Sequence, residues 1–548
     1  MSVKAAQQAR EEVTVKPETE WTIMVFFAGD PHLSPSMTSQ LKALKDAGFE
    51  ANTNVLVHYD PNERGASTTT FEINRMRKQQ MRDLNLNPTV IGDGRDPFVR
   101  NLVEDSIPGG AGRSANALNA LKQFLRLGLQ YPARHYMLFL VGHGMIVGND
   151  AFLPDDQPNS AIGLADLGET LRAFSKMVTG TVELIGLHSC SMSALEVFYE
   201  LKGAARYMMA TEGISFVSSW PYRQVLKKLL GTVDNANGTG VHVDTLIQSI
   251  QSLSLHNSTD FMFSGLSADL ALCRLDADEK TVGNLNASIR YLTRALKDGL
   301  KDPRGKELIQ LAHLEAQSYW QETYTDLYDF CLCLARRCDQ GDQTQKKMVE
   351  ACNGVIGQLQ ESPIKGGIIA QSDYFGPLYQ YSHGLSVYFP WSQPLHDHAA
   401  AIGDDILSRY QNYKFTTELR EDSWLSFLQE YFEATQRKSR IAESQPDKSQ
   451  ADQTGSGNGT RSSVRPDIFF TSSGSVVVGD ALRKASPALD ETPRKASPPL
   501  GVGSCVCTVK NYPMEFTRSP RADEEPNKEI IAEQLTNSRA YHPATVEG

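Results

Sequence analysis

Met137-Leu138-Phe139-Leu140-Val141-Gly142-His143-Gly144 and, further along, Val182-Glu183-Leu184-Ile185-Gly186-Leu187-His188-Ser189-Cys190 decide how this chain is read. Each is an apolar run of strand length that stops abruptly at a residue able to do nucleophile chemistry, with glycine or serine beside it. A strand buried on both faces reads as such an unbroken apolar run, because helices cover it above and below. In open α/β sheets the carboxyl ends of the strands are where ligands bind. A histidine and a cysteine delivered to that edge point to a thiol hydrolase.

Working outward from these runs, the first half alternates strand-like and helix-like segments. Trp21–Phe27 is an apolar run closed by Ala28-Gly29-Asp30, and a helical pattern follows over 36–47, ended by Gly48. Asn54–Tyr59 reads as a second strand, Ser114–Leu127 as the helix before the histidine strand, and Leu164–Met177 as the helix before the cysteine strand. A further helix begins near Ser193, and Arg206–Thr211 reads as a fifth strand. Alternation with short connections predicts a mostly parallel sheet with helices on both faces. Residues 1–19 are expected to be disordered and 20–275 to form the α/β domain. Over 276–435 the rhythm changes to long helical stretches such as Val282–Leu300 and Leu308–Arg337, with a strand patch at Gly384–Pro390 and a last helix at Trp424–Thr435. That region is expected to pack on the sheet domain.

From 436 to 548 the composition turns to Ser, Gly, Pro and charged residues, too polar to offset the entropy of ordering, so a disordered tail is expected. It repeats Arg-Lys-Ala-Ser-Pro at 483–487 and 494–498. Ser486 and Ser497 are therefore candidate phosphorylation sites, and a tail-binding protein or kinase is a candidate partner; a merely solvated tail is the plainer reading.

The 548 residues suit two or three domains, and the net charge of −11 disfavours nucleic acid or an anionic membrane as partner. No run is long enough to span a bilayer. The polar start of the chain carries no apolar leader segment, so a reducing, cytoplasmic setting is expected. Eight cysteines in this length make no disulfide framework. Cys331, Cys333 and Cys338 read as small buried hydrophobes rather than a zinc site, for want of a second ligand pair. Cys505 and Cys507 form a C-x-C in the tail.

A cysteine attacks a carbonyl as the thiolate, so it needs a lowered pKa or a base. Cys190 precedes Ser193-Ala194-Leu195-Glu196, a capping-box pattern whose helix would aim its positive end at the sulfur. His143 would supply the general acid and base. The backbone N–H groups of Gly144 and Cys190 would form the oxyanion site.

Around these residues the chain resembles the clostripain family of cysteine peptidases, a branch of the caspase-like group. The resemblance runs from about Trp21 to Trp391 and covers Trp21–Asp30, Gly142-His143-Gly144, the block ending in Cys190, Tyr324–Phe330 and Gly384–Pro390. It implies a caspase-like α/β sandwich, a His143–Cys190 dyad and a peptide or protein substrate. Two departures stand out. Family members typically carry an aspartate two residues before the cysteine, lining a pocket for arginine or lysine; here it is His188, which on a strand faces the same side as Cys190. Some members cut themselves at a basic residue soon after the histidine motif, yet no lysine or arginine lies between Arg134 and Arg172. Both departures predict specificity shifted away from basic residues.

Glu212 is a candidate for a negative pocket wall. No cofactor is expected from the residues. The resemblance brings in calcium, which clostripain requires, with Asp155 and Asp156 as candidate ligands; solvated loop carboxylates are the plainer reading. The leading expectation is a cysteine endopeptidase. The alternative is a non-catalytic caspase-like scaffold that recruits partners through its tail.

Overall fold

The computed structural model describes residues 19–28, 33–47, 53–60, 68–73, 99–104, 117–144, 152–155, 160–217, 219–233, 243–258, 267–319, 322–360, 367–393, 406–435, 468–470 and 476–478. All belong to the first of two compact units, 1–509 and 510–548. Ser486, Ser497, Cys505, Cys507 and Asp156 lie outside the described residues, as does the tail beyond 435 except for Ile468–Phe470 and Val476–Val478, which pair antiparallel.

Five strands run parallel at the centre of one nine-stranded sheet: β1 (Thr19–Phe27), β2 (Thr53–Tyr59), β5 (Ala133–Val141), β8 (Thr181–His188) and β9 (Tyr207–Ala210). Antiparallel strands extend both sides, β3 (Thr69–Ile73) and β4 (Val99–Glu104) beyond β2, β10 (Ala268–Arg274) and β13 (Ile369–Phe375) beyond β9. The order across is β13-β10-β9-β8-β5-β1-β2-β3-β4. Two small sheets accompany it, β6 (Phe152–Asp155) with β7 (Ser160–Ile162), and β11 (Ser318–Tyr319), β12 (Tyr324–Asp326) and β14 (Ser386–Tyr388).

The apolar runs are unbroken because both faces of the central strands are covered. Met24, Phe26, Leu138, Leu140, Ile185 and Leu187 enter one core, while Ile23, Val25, Phe27, Met137, Phe139 and Leu184 enter the other. The second core is roofed by α1 (Ser34–Asp46), α5 (Tyr222–Val233) and α6 (Val243–Ser258). The first takes α2 (Ala117–Gly128), α3 (Leu164–Met177), α4 (Leu195–Leu201), α7 (Glu279–Leu300), α8 (Pro303–Glu315), α9 (Leu327–Arg337), α10 (Gln343–Leu359) and the closing helix Trp424–Thr435. Met137–Val141 are all within 1% of full burial. At about 1.5–3 kcal/mol for each large apolar side chain, β5 is the sheet's anchor.

The helical stretch expected over Leu308–Arg337 is interrupted. The chain leaves α8 at Glu315, forms β11 and β12, and restarts at α9. Asp326 starts the new helix, its side chain accepting the Asp329 N–H at 2.7 Å, while Tyr319 and Tyr324 bury their rings in the first core. The half after 275 also completes the main sheet rather than only covering it, since β13 pairs with β10. Among the described residues no helix is long and apolar enough to cross a membrane.

The capping box expected at Ser193 is absent. Ala194 is the N-cap, with no side-chain bond. Ser193 Oγ donates instead to the Gly384 carbonyl at 2.6 Å, and Glu196 accepts the Tyr388 N–H at 3.0 Å and the Tyr410 hydroxyl at 2.5 Å. Both side chains are claimed by β14 and its neighbours, which outbid the local cap. Burial raises the Glu196 pKa from 4.5 to about 7. The folded protein therefore holds a proton that the unfolded chain gives up, so this stability is complete below pH 4.5 and is lost as pH rises through about 7. The loss is on the order of 3 kcal/mol. Glu196→Gln keeps the accepting oxygen and removes the charge. Thermal unfolding at pH 5 and pH 8 should show a smaller drop in Tm for the variant than for wild type, and equal drops would refute the assignment.

Candidate active site

The two motif turns meet because β5 and β8 are neighbours in register, with Val141 opposite His188. Beyond that pair the Gly142 N–H reaches the His188 carbonyl at 3.4 Å, and the chains go on side by side. A Cβ built on Gly144 would overlap the Cys190 carbonyl oxygen and stand 2.9 Å from the Cys190 nitrogen. Glycine after the histidine is thus a steric necessity: main chain lies on main chain. Gly142 is constrained from the other side, where a Cβ would come within 2.6 Å of Leu153 Cδ2. The Leu153 N–H in turn donates to the His143 carbonyl at 3.2 Å, so β6 holds the histidine turn in place.

Among the described residues four non-glycine residues have a left-handed φ, and two of them flank this junction, Leu153 at 47° and Ser191 at 55°. Such conformations persist only where neighbours enforce them. The Ser191 N–H is tied to the Gly213 carbonyl at 2.9 Å, and the Ser193 N–H to the Thr211 carbonyl at 2.8 Å. The turn after β8 is therefore stitched to the turn after β9.

That second turn supplies what the sequence assigned to a helix dipole. The Ser215 N–H donates to Cys190 Sγ at 3.2 Å, a bond that a thiolate accepts, and the Ser215 carbonyl lies 3.6 Å from Sγ, where a thiol donates. α4 starts only at Leu195 and spans 7 residues, too short and too late to do the same. Cys190 is 3% exposed and His143 8%, so both are covered here. The described free cysteines are Cys273, Cys331, Cys333, Cys338 and Cys352.

His188 faces the α5 side of the sheet, as Cys190 does, and is fully buried. Its ring stacks on Trp220 with centroids 4.3 Å apart and planes 4° from parallel. Nε2 lies 2.7 Å from the Phe216 carbonyl and Nδ1 2.9 Å from the Tyr222 hydroxyl. A carbonyl only accepts, so Nε2 carries the hydrogen. Burial pushes the pKa down to about 3, so the ring is neutral and Nδ1 accepts from Tyr222. The sequence reading expected His188 at the pocket surface; here it is sealed behind Trp220 as an internal clamp on the 216–222 segment.

Glu212, expected to wall the pocket, is sealed as well. Its carboxylate accepts the Gly384 N–H at 2.8 Å and the Tyr319 hydroxyl at 3.1 Å and is 0% exposed. Burial, with Asp326 and Asp269 nearby, raises its pKa well above the ordinary carboxylate range. A carboxyl held this way presents no anion to a substrate. Asp155 ends β6. Among the described residues no group of three or more His, Cys, Asp or Glu side chains could hold a metal ion.

Sequence reading missed three positions. Ser215 acts through its backbone N–H, which no side-chain pattern reveals. Leu153 acts through its conformation. Asp269 sits near the start of β10 and accepts the N–H groups of both Glu212 and Gly213, at 2.6 and 2.9 Å. An aspartate opening a short apolar run was the one available signal.

Against this geometry, comparison with known proteins adds one strong result. The model of peptidase C11, the clostripain family, matches residues 25–382, well over half of the 548. No curated protein matches the chain. Among solved structures, similarity is found to a secreted C11 cysteine protease from Bacteroides thetaiotaomicron in complex with an irreversible peptide inhibitor, at 14% identity and TM-score 0.45, covering 75% of this chain and 99% of that one. An inactive zymogen C11 protease from Parabacteroides distasonis gives 16% and 0.44, with 75% and 99% covered. Likenesses at this level carry no argument of their own. The family match embraces β5, β8 and both motif turns, and on it the chain belongs to the clostripain family of cysteine peptidases.

Proposed function

We propose that the chain is a cysteine endopeptidase in which Cys190 attacks the scissile carbonyl and His143 carries the proton. The observation that supports this most directly is the meeting of the two turns at one sheet edge, with the Gly144 backbone packed on that of Cys190. Cys190 reacts in its reduced state, and the Ser215 N–H donates to the sulfur in its anionic form. Sγ forms a bond to the carbonyl carbon, and the developing oxyanion is met by the backbone N–H groups of Gly144 and Cys190. Collapse breaks the C–N bond as His143 protonates the leaving amine. A water molecule, deprotonated by His143, then attacks the thioester and releases the acid and the thiol.

Specificity is proposed to fall on uncharged side chains. A buried guanidinium or ammonium requires a charge-assisted partner. The two residues expected to supply one are a neutral, stacked His188 and a sealed Glu212.

Under a thiol reductant, a peptidyl acyloxymethyl ketone should label wild type at Cys190 and leave Cys190→Ala unlabelled, read by mass spectrometry of the tryptic peptide. Repeated failure of differently substituted probes on the reduced protein would overturn the nucleophile. Profiling on a mixed peptide library should give cleavage after uncharged residues; predominant cleavage after arginine or lysine would refute the specificity. Gly144→Ala must push the two turns apart, and kcat/KM should fall about a hundredfold or more, as expected for misplacement near 1 Å. Unchanged kinetics would show that the contact does not matter.

A further inference from the structure

Cys190 Sγ meets Ser215, its N–H at 3.2 Å and its carbonyl at 3.6 Å, on the turn after β9. The segment after β9 runs from Thr211 to Phe216 over the cysteine, and two of its N–H groups point the other way, into the protein. Both end on one carboxylate. Asp269 Oδ2 accepts from Glu212 and Oδ1 from Gly213, and the side chain is 1% exposed. β10 runs antiparallel to β9, with Ala271 opposite Ala210, so the start of β10 lies at the edge where β9 ends. That topology is what carries an aspartate to this position.

One of the residues caught by Asp269 is bonded to the neighbour of the cysteine, and the residue that reaches the sulfur lies two positions further on. Gly213 gives its N–H to Asp269 and its carbonyl to the N–H of Ser191, the strained residue after the nucleophile. Two residues on, Ser215 donates to the sulfur at 3.2 Å. Between them the Ile214 N–H is held by the Tyr379 hydroxyl at 3.3 Å.

We propose that Asp269 is a positioning residue for the nucleophile: by holding the Glu212 and Gly213 N–H groups it fixes the turn that sets the Ser215 N–H against Cys190 Sγ. The inference rests on Cys190 being the nucleophile, as proposed above. Burying a carboxylate for packing alone is a poor use of the position, since burial itself raises its pKa and two backbone bonds are needed to offset that. Asparagine can accept one of the two N–H groups but presents a donor to the other.

The test is the reactivity of the sulfur itself. With the full chain reduced, iodoacetamide alkylation of Cys190 is followed against pH by mass spectrometry of its peptide. Asp269→Asn should move the midpoint up by about one pH unit, the scale of a lost hydrogen bond to the charged form. On a peptide substrate kcat should fall about tenfold or more with KM little changed. A variant that keeps the wild-type near-ultraviolet spectrum with an unshifted midpoint would overturn the proposal. If Asp269→Asn does not fold, Asp269→Glu keeps two accepting oxygens but displaces them and should give a smaller upward shift; an unchanged midpoint there would overturn it equally. Alkylation needs no substrate. Wild type that alkylates at Cys190 yet cleaves no peptide would refute the peptidase reading, while the midpoint comparison still judges Asp269.

Discussion

Main chain packed on main chain is the constraint on which the site depends. The turn leaving β5 lies against the turn leaving β8 with no side chain between them, so the separation of histidine and cysteine is set by peptide geometry rather than by rotamers. Peptide groups are stiff where side chains are adjustable. Holding them takes a fixed register, and two-sided burial supplies it. A slip of one residue in β8 would send Leu184 and Ile185 into each other's cores and carry Cys190 to the opposite face. The hydrophobic pattern that makes the strands therefore also aims the chemistry.

Around that contact the protein places polar groups in the interior, where each must be satisfied. Glu212, Asp269 and Asp326 are all buried, and each takes backbone N–H groups, from Gly384, from Glu212 and Gly213, and from Asp329 and His383. This is an unfavourable way to fill a core: the burial that raises the pKa of Glu212 and Asp269 measures its cost. What is gained is the shape of irregular backbone. Turns that present N–H groups to the Cys190 sulfur cannot also bond within a strand, and buried carboxylates give them another partner.

How much of this was legible follows from where each signal lives. The parallel strands and their helices were readable because burial writes an unbroken or periodic apolar pattern along a contiguous segment, as in Met137–Val141 and Leu164–Met177. The flanking strands β3, β4, β10 and β13 are short, antiparallel and mixed in polarity, and their pairing depends on partners far along the chain. The break between α8 and α9 was hidden because Tyr319 and Tyr324 are as apolar as helix core residues. Ser193 and Glu196 match a local capping rule, but β14 and Tyr410 take their hydrogen bonds. The apolar runs and the family resemblance both pointed to His143 and Cys190; neither could reveal that the backbone of Ser215 meets the sulfur.

The position two residues before the cysteine is tied to the same turn. His188 donates through Nε2 to the Phe216 carbonyl, and Phe216 directly follows the residue whose N–H meets the sulfur. One clamp, Asp269, holds the segment at Glu212 and Gly213; another, His188, holds it at Phe216. Ser215 hangs between them. A carboxylate in place of the imidazole has no hydrogen to give and would set negative charge against that carbonyl, so the segment would have to find another path over Cys190. Neutral chemistry at position 188 and the placement of the Ser215 amide are thus one structural choice, and a change at 188 must also change what the Cys190 sulfur meets.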